Sequence, residues 1–600
     1  MNKKKNASSH EKAVQRRRVG SLLQLVRYIL RYKLLIGSVI VTVLVANLLA
    51  LLIPQLTGIM VDALDLSNGS IDFSALIQNG LYIVLVSLVV WGLSALQNVL
   101  MLKTAQNVVL DLRHDVFAKL MKLPVSYFDN NTKGNIISII SVDIDNISDT
   151  VSADAITLIT GFVTVVGSLI MMLTISPVMT LIFVVTVPMM FIAAKIISKQ
   201  ARRLFRIKKN CFGELCGYAE EMITAQKTVK VYGLEEYNKH NFFDISNRLQ
   251  KSGAKAEFVS SIMMPILNGI NNLNFTLICA IGAFLALNGR ISIGNISSFV
   301  LYSKKFAGPI VDTANIINML QASLAACDRV FSILNADPEP ELALPAPEGE
   351  KKPPVQGEVR FEDVCFSYVP DTPVLRHVSF DIQPGQMVAI VGATGSGKTT
   401  IISLLERFYD ITSGTITIDG KNIHEFSLEQ LRQCFALVLQ DSWLFEGTVM
   451  ENIAYAAPPE RSTPEMVRSL CRQIEVDDFI ESLPNGYDTV LHSDSGGLSQ
   501  GQRQLLNIAR TFLCDPPIFI LDEATSSVDT QTEAKIKTVT AKVTQGKTSI
   551  VIAHRLSTIL NADKILVMKD GKIRESGTHE ELIAQGGLYQ ELYESQFAEL

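Results

Sequence analysis

The chain has 600 residues, 48% hydrophobic and 19% charged, with a formal charge of −5 at neutral pH. A charged share below the usual ~25%, with so small a net charge, excludes a protein that works by bulk attraction to nucleic acid. Its cysteines (211, 216, 279, 327, 365, 434, 471 and 514) show no metal-type pairing, and Cys211 and Cys216 match no zinc or disulfide framework, so they are expected to be reduced and mostly cytosolic.

The N-terminus is basic (Lys3-Lys4-Lys5, Arg16-Arg17-Arg18). No short apolar stretch with a small-residue cleavage site follows, which argues against a signal peptide. The tail suits anionic membrane headgroups, and residues 20–32 read as an amphipathic helix lying along the interface. Six apolar runs follow, near 34–58, 78–102, 153–175, 177–198, 260–287 and 293–320. Each has about the 20 apolar residues a helix needs to cross the hydrocarbon. Thr174-Ile175-Ser176-Pro177 leaves room only for a tight hairpin between the third and fourth.

The segment between the first two runs carries Asp62, Asp65 and Asp72 and no Lys or Arg. Segments 103–150 and 199–256 are rich in basic residues, among them Arg202, Arg203, Arg206, Lys208 and Lys209. Loop charge therefore places these long segments and both termini in the cytoplasm, as helices projecting beyond the bilayer. The fifth run holds Asn268, Asn271, Asn272 and Asn274, with Asn268 and Asn272 on one helix face. Such amides often join helices by hydrogen bonds; contact with a transported molecule is the alternative. Lys304, Lys305 and Asp312 lie in the sixth run near Pro309. Charges there are costly and usually face a wet cavity, so pocket or gate roles are expected, with snorkelling or Lys–Asp pairing as the alternative. Asp62 is a candidate for an external gate.

Residues 1–335 thus form a membrane domain. Residues 336–356 carry Pro338, Pro340, Pro345, Pro347, Pro353 and Pro354 and read as a semi-rigid linker. From 357 to 600 the pattern becomes soluble α/β. Val359–Tyr368 alternates as a strand, Asp419-Gly420 marks a turn, and short apolar strands at 387–391, 518–521, 549–552 and 564–568 are interleaved with helices.

Gly392-Ala393-Thr394-Gly395-Ser396-Gly397-Lys398-Thr399-Thr400 follows a strand and opens a helix. Glycines let successive N–H groups turn inward around phosphates, and the helix dipole adds to the pull. Lys398 suits the β- and γ-phosphates and the Thr399 hydroxyl suits magnesium. Ile518-Phe519-Ile520-Leu521 ends in Asp522-Glu523, adjacent carboxylates suited respectively to the metal and to orienting an attacking water. Leu498-Ser499-Gln500-Gly501-Gln502 contains a capping box, Ser499 at the N-cap and Gln502 three residues on.

In this order, these motifs resemble an ATP-binding cassette exporter of the half-transporter kind over nearly the whole chain. The resemblance implies an α-helical membrane domain of six transmembrane helices with long cytoplasmic extensions, followed by an α/β P-loop nucleotide-binding domain. It implies ATP and Mg2+ as cofactors and ATP hydrolysis coupled to transport in the cell membrane. Tyr368 matches the aromatic that stacks on adenine, and Gln440 the glutamine that senses magnesium. Ser526, Ser527 and Asp529 match the loop linking two ATP sites, and His554 the switch histidine. Tyr127-Phe128-Asp129 through Gly134, with Asp143, and Gly213 to Glu236 resemble coupling segments.

The pentapeptide 498–502 resembles the signature that meets ATP bound by an opposing domain, which implies a second half-transporter. Gln500 stands where the family has glycine, and His492-Ser493-Asp494-Ser495 where it often has Gly-Glu-Arg-Gly. Glu523 and His554 are nevertheless intact. That asymmetry resembles heterodimeric exporters with one degenerate site. The expected partners are a different half-transporter, membrane lipids and an amphipathic small molecule, with no nucleic acid. The short N-terminus argues against an exporter carrying a peptidase domain. A homodimeric flippase and a metal-chelate importer share the architecture, and an ATP-gated channel is a further alternative.

Overall fold

The structure, a computed structural model, describes residues 20–65, 70–339, 355–438, 443–492, 497–522, 530–552 and 559–597. The chain divides into two compact units: one runs to Ala336, except that Lys122–Asn131 group with the second, which begins at Asp337.

The first unit is helical. Five of its helices, Lys33–Asp62, Phe73–Leu120, Lys133–Ile175, Pro177–Thr224 and Glu235–Leu287, are long and apolar enough to cross a membrane. The sixth expected span lies in Ile293–Leu334, a helix of 42 residues; the side chains of 310–321, Asp312 included, are outside the described set. Phe73–Leu120 and Pro177–Thr224 each have 48 residues, or about 72 Å at 1.5 Å per residue, more than twice a ~30 Å hydrocarbon core. Gly20–Leu30 is the short helix at the N-terminal side, where the Tyr28 hydroxyl donates to Asp115 at 2.7 Å. The hairpin between the third and fourth spans turns on one residue: Ser176 caps the helix that Pro177 opens, its Oγ accepting from Met179 N.

Proline also shapes the first span. A helix ends at Ala50 and the next begins at Leu52, because Pro54 has no N–H to bond the carbonyl four residues back. That carbonyl is Ala50, and the Lys305 ammonium donates to it at 2.6 Å. Tyr302 Oη donates to Leu51 O (2.5 Å) and Ser298 Oγ to Pro54 O (2.8 Å). One face of the last helix thus satisfies the backbone that the kink exposes, as hydrocarbon requires. Aromatic packing of Phe183 on Phe299 and Phe306 fills the space beside it.

Besides a two-stranded pair, Gly447–Thr448 with Val490–Leu491, the second unit holds two sheets. An antiparallel one runs Leu375–Ile382, Val359–Phe366, Ser413–Ile418, Lys421–Asn422. Its hairpin turns at Asp419 (φ 48°) and Gly420 (φ 77°), the positive pair a two-residue loop needs. The larger sheet runs Lys572–Gly577, Lys564–Lys569, Met387–Gly392, Thr548–Ile552, Ile518–Asp522, Phe435–Val438, parallel except for its first pair. Every residue of Ile518–Asp522 and Thr548–Ile552 is buried, as parallel strands covered on both faces are. Met387–Gly392 lies beside Thr548–Ile552, which in turn pairs with Ile518–Asp522, all parallel, so the phosphate loop and the Asp522 carboxylate emerge at the same, C-terminal, end of the strands.

Candidate functional site

Gly392 (φ 151°) leaves the strand so close to Met568 that a Cβ would lie 2.3 Å from its carbonyl oxygen. Gly397 (φ 103°) caps the helix Lys398–Leu405 in the left-handed region, where a Cβ would also meet Leu375 at 2.7 Å. Only glycine fits both positions. Lys398 is buried, and its Nζ arches over the loop to donate to Gly392 O (2.8 Å) and Ala393 O (3.1 Å). Burial lowers its pKa, and the Asp522 carboxylate opposes that shift. Ser396 Oγ is buried without a hydrogen-bond partner among the described residues, an orphan that fits a phosphate oxygen brought into the loop. Thr399 is exposed at the loop's rim, whereas Thr400 is buried and its Oγ accepts from Tyr368 Oη at 3.3 Å. Tyr368 stands half exposed, edge-on to Phe366 and Tyr409 at 4.8 and 4.9 Å between centroids. An aromatic platform therefore borders the loop that would hold the phosphates.

Glu523, Ser526, Ser527, Asp529, Gln440 and His554 lie outside the described residues. Asp522 ends its strand in a buried position.

The signature segment folds as its capping pattern predicts. Ser499 Oγ accepts from Gln502 N at 3.2 Å, and Gln502 Oε1 accepts from Ser499 N at 2.8 Å. Gln500 is the first residue of the helix Gln500–Cys514, partly buried, and Gly501 beneath it is buried. Leu498 packs against the core under this helix. Gln504, one turn beyond Gln500, is buried and shares a small cavity with Asp522. Sequence reading missed Gln504, although its spacing from Gln500 was there to see.

Among the coupling segments, Val125–Asn130 is a short helix of the second unit, and Tyr409 Oη donates to Asp129. Asp143 instead belongs to the first unit, buried and held by Arg329 through Nε (2.6 Å) and Nη2 (2.5 Å). In the second segment Gly233 (φ 62°) turns the chain between Gln226–Val231 and Glu235–Ser261, with Val231 and Tyr232 exposed.

Within the first unit, a cavity of about 530 Å³ is lined by Asn268, Asn271, Asn272, Ser303 and Lys304 among apolar side chains. Asn274 is not part of it: buried, it donates to Ser303 Oγ at 3.2 Å and joins two helices. Lys305 is not part of it either, since its ammonium closes the Pro54 kink. Of the two lysines expected in pocket or gate roles, Lys304 alone lines this cavity.

A helical membrane domain followed in one chain by a phosphate-loop domain with a capped signature helix defines an ATP-driven membrane transporter. The chain belongs to the ABC transporter family: the ABC transporter transmembrane region matches residues 35–310 and the ABC transporter ATPase domain residues 375–526. It is 38% identical over its whole length to an uncharacterised ABC transporter ATP-binding protein of Bacillus subtilis, covering 97% of that protein. A fatty acid ABC transporter ATP-binding/permease protein of Mycobacterium tuberculosis is 40% identical over 84% of this chain and 78% of its own length. An ATP-dependent lipid A-core flippase of Escherichia coli is 37% identical over 82% of this chain and 84% of its own. The C-terminal domain binds ATP, and its hydrolysis is coupled to transport through the membrane domain.

Proposed function

We propose that this chain is one half of an exporter of amphipathic small molecules or lipids, paired in the cytoplasmic membrane with a different half-transporter. The amphipathic class is supported by relatives named for fatty acid transport and lipid A-core flipping and by a membrane cavity that mixes amide and apolar walls. Loop charge supports cytoplasmic termini and nucleotide domain.

Bound ATP with magnesium supplies the phosphoanhydride whose cleavage drives the cycle. Gly392 to Thr400 hold its phosphates by backbone N–H groups, Ser396 Oγ and Lys398. Tyr368 supports the base. Thr399, Asp522 and Gln440 would hold the metal, Glu523 would orient the water, and His554 would steady the γ-phosphate. ATP binding closes two nucleotide domains through the signature residues 498–502 and the loop at Ser526, Ser527 and Asp529. The membrane halves then open outward, and hydrolysis resets them.

The observation that carries the pairing is Gln500 at the first turn of an otherwise well-formed signature helix, beside intact Glu523. The signature serves the partner's ATP, so its departure weakens the partner-held site and leaves this chain's own. Glu523→Gln is expected to abolish substrate-stimulated ATPase in reconstituted transporter. A purified chain that alone forms a homodimer with full ATPase activity would overturn the pairing.

A further inference from the structure

Among the described residues, Lys304 is the one charged side chain lining the membrane cavity, and no carboxylate among them lines it. It lies eleven residues into the helix Ile293–Leu334, about 16 Å along its axis and so near the middle of a ~30 Å hydrocarbon core. Among the described residues it has no hydrogen-bond or ion-pair partner. Its neighbour Lys305 has one, the Ala50 carbonyl. Two adjacent lysines in one span are thus split: one completes the backbone, and the other is left facing open space. A positive charge held there is costly unless something compensates it.

The rest of the cavity indicates what compensates. Asn268, Asn271 and Asn272 line the facing helix, and Ser303 joins them. These groups donate or accept hydrogen bonds without adding charge. Met264, Leu267 and Phe275 supply apolar wall. At about 530 Å³ the cavity is of ordinary small-ligand size. We propose that it binds an amphiphile with an anionic head, carboxylate or phosphate. The head pairs with Lys304 and the amides, and the apolar body lies along Met264, Leu267 and Phe275. This deepens the exporter reading by naming the charge of its substrate, and it rests on that reading.

The test measures binding without nucleotide, so it is separable from hydrolysis and transport. Full-length transporter, with its partner where the two co-purify, is placed in nanodiscs of zwitterionic lipid. It is titrated with spin-labelled stearate, spin-labelled phosphatidic acid and a spin-labelled long-chain alkyltrimethylammonium. Saturable immobilisation of one or both anionic probes, and not of the cation, is expected. Stearate alone would assign the carboxylate, and phosphatidic acid alone the phosphate. Lys304→Gln is expected to weaken the anionic probe about tenfold or more, Lys304→Arg to retain it, and Asn272→Asp to weaken it by repulsion. Equal binding of all three probes, no saturable binding by folded protein, or unchanged affinity in both Lys304→Gln and Asn272→Asp overturns the proposal. Loss of ATPase in Glu523→Gln with anion binding intact would leave it standing.

Discussion

Glu406 closes the helix that starts at the phosphate loop, and its side chain is almost fully buried. Burial raises its pKa from 4.5 to about 7, and only the Arg432 guanidinium opposes the shift. An acid whose folded pKa is raised binds its proton more tightly when folded. Its contribution is therefore most favourable below the unfolded value and is lost as pH rises from 4.5 to about 7. The loss is roughly 3 kcal/mol at most. Glu406→Gln should flatten thermal unfolding across that window and raise stability at pH 8; an unchanged pH profile would refute the assignment. The two lysines of the last span are expected to diverge as well. Lys305→Met leaves the Ala50 carbonyl unpaired and should cost about 1–3 kcal/mol. Lys304→Met should cost nothing comparable, a contrast visible in thermal unfolding of the two variants in detergent.

At the scale of elements, two helices of the membrane unit cross in close backbone contact at Gly58 and Gly294. A Cβ on Gly294 would lie 2.0 Å from Gly58 O, and one on Gly58 would lie 2.0 Å from Ser298 Oγ and 2.6 Å from Gly294 O. Asp62, at the end of Leu52–Asp62, then caps the other helix, accepting from Gly294 N (2.7 Å) and Ser292 Oγ (2.6 Å). Asp62, expected at an external gate, caps a helix across this contact. Gly294→Ala must push backbone against backbone and should cost several times what Asp62→Ala does, which is about 1 kcal/mol. Comparable unfolding temperatures for the two variants would disprove the close crossing. The signature helix was legible in advance because its capping box is a local pattern. Ser499→Ala is likewise expected to cost about 1 kcal/mol and to impair ATPase beyond that loss of stability.

For the whole molecule, the proposed asymmetric pairing turns on Gln500. In a background of Glu523→Gln, which silences this chain's own site, Gln500→Gly should restore a measurable ATPase to the pair. No rise would remove the argument for a weakened second site. The membrane spans, the phosphate loop, the Asp419-Gly420 turn and the capped signature helix could all be read from the sequence. Each depends on neighbours within a few residues: apolar runs, glycines at positive φ, a serine and a glutamine three apart. The sequence could not separate Lys304 from Lys305, nor say that Asn274, off the face shared by Asn268 and Asn272, would bind the next helix. Their fates depend on how one helix is rotated against another. The Pro54 kink turns the Ala50 carbonyl toward Lys305, and Ser303 draws Asn274 into the helix contact. Composition and local pattern determined that this chain crosses a membrane and uses ATP. Only packing between distant segments decided which charge was left facing the cavity, because a side chain's partner in hydrocarbon is chosen by the nearest unsatisfied polar group and not by its place in the chain.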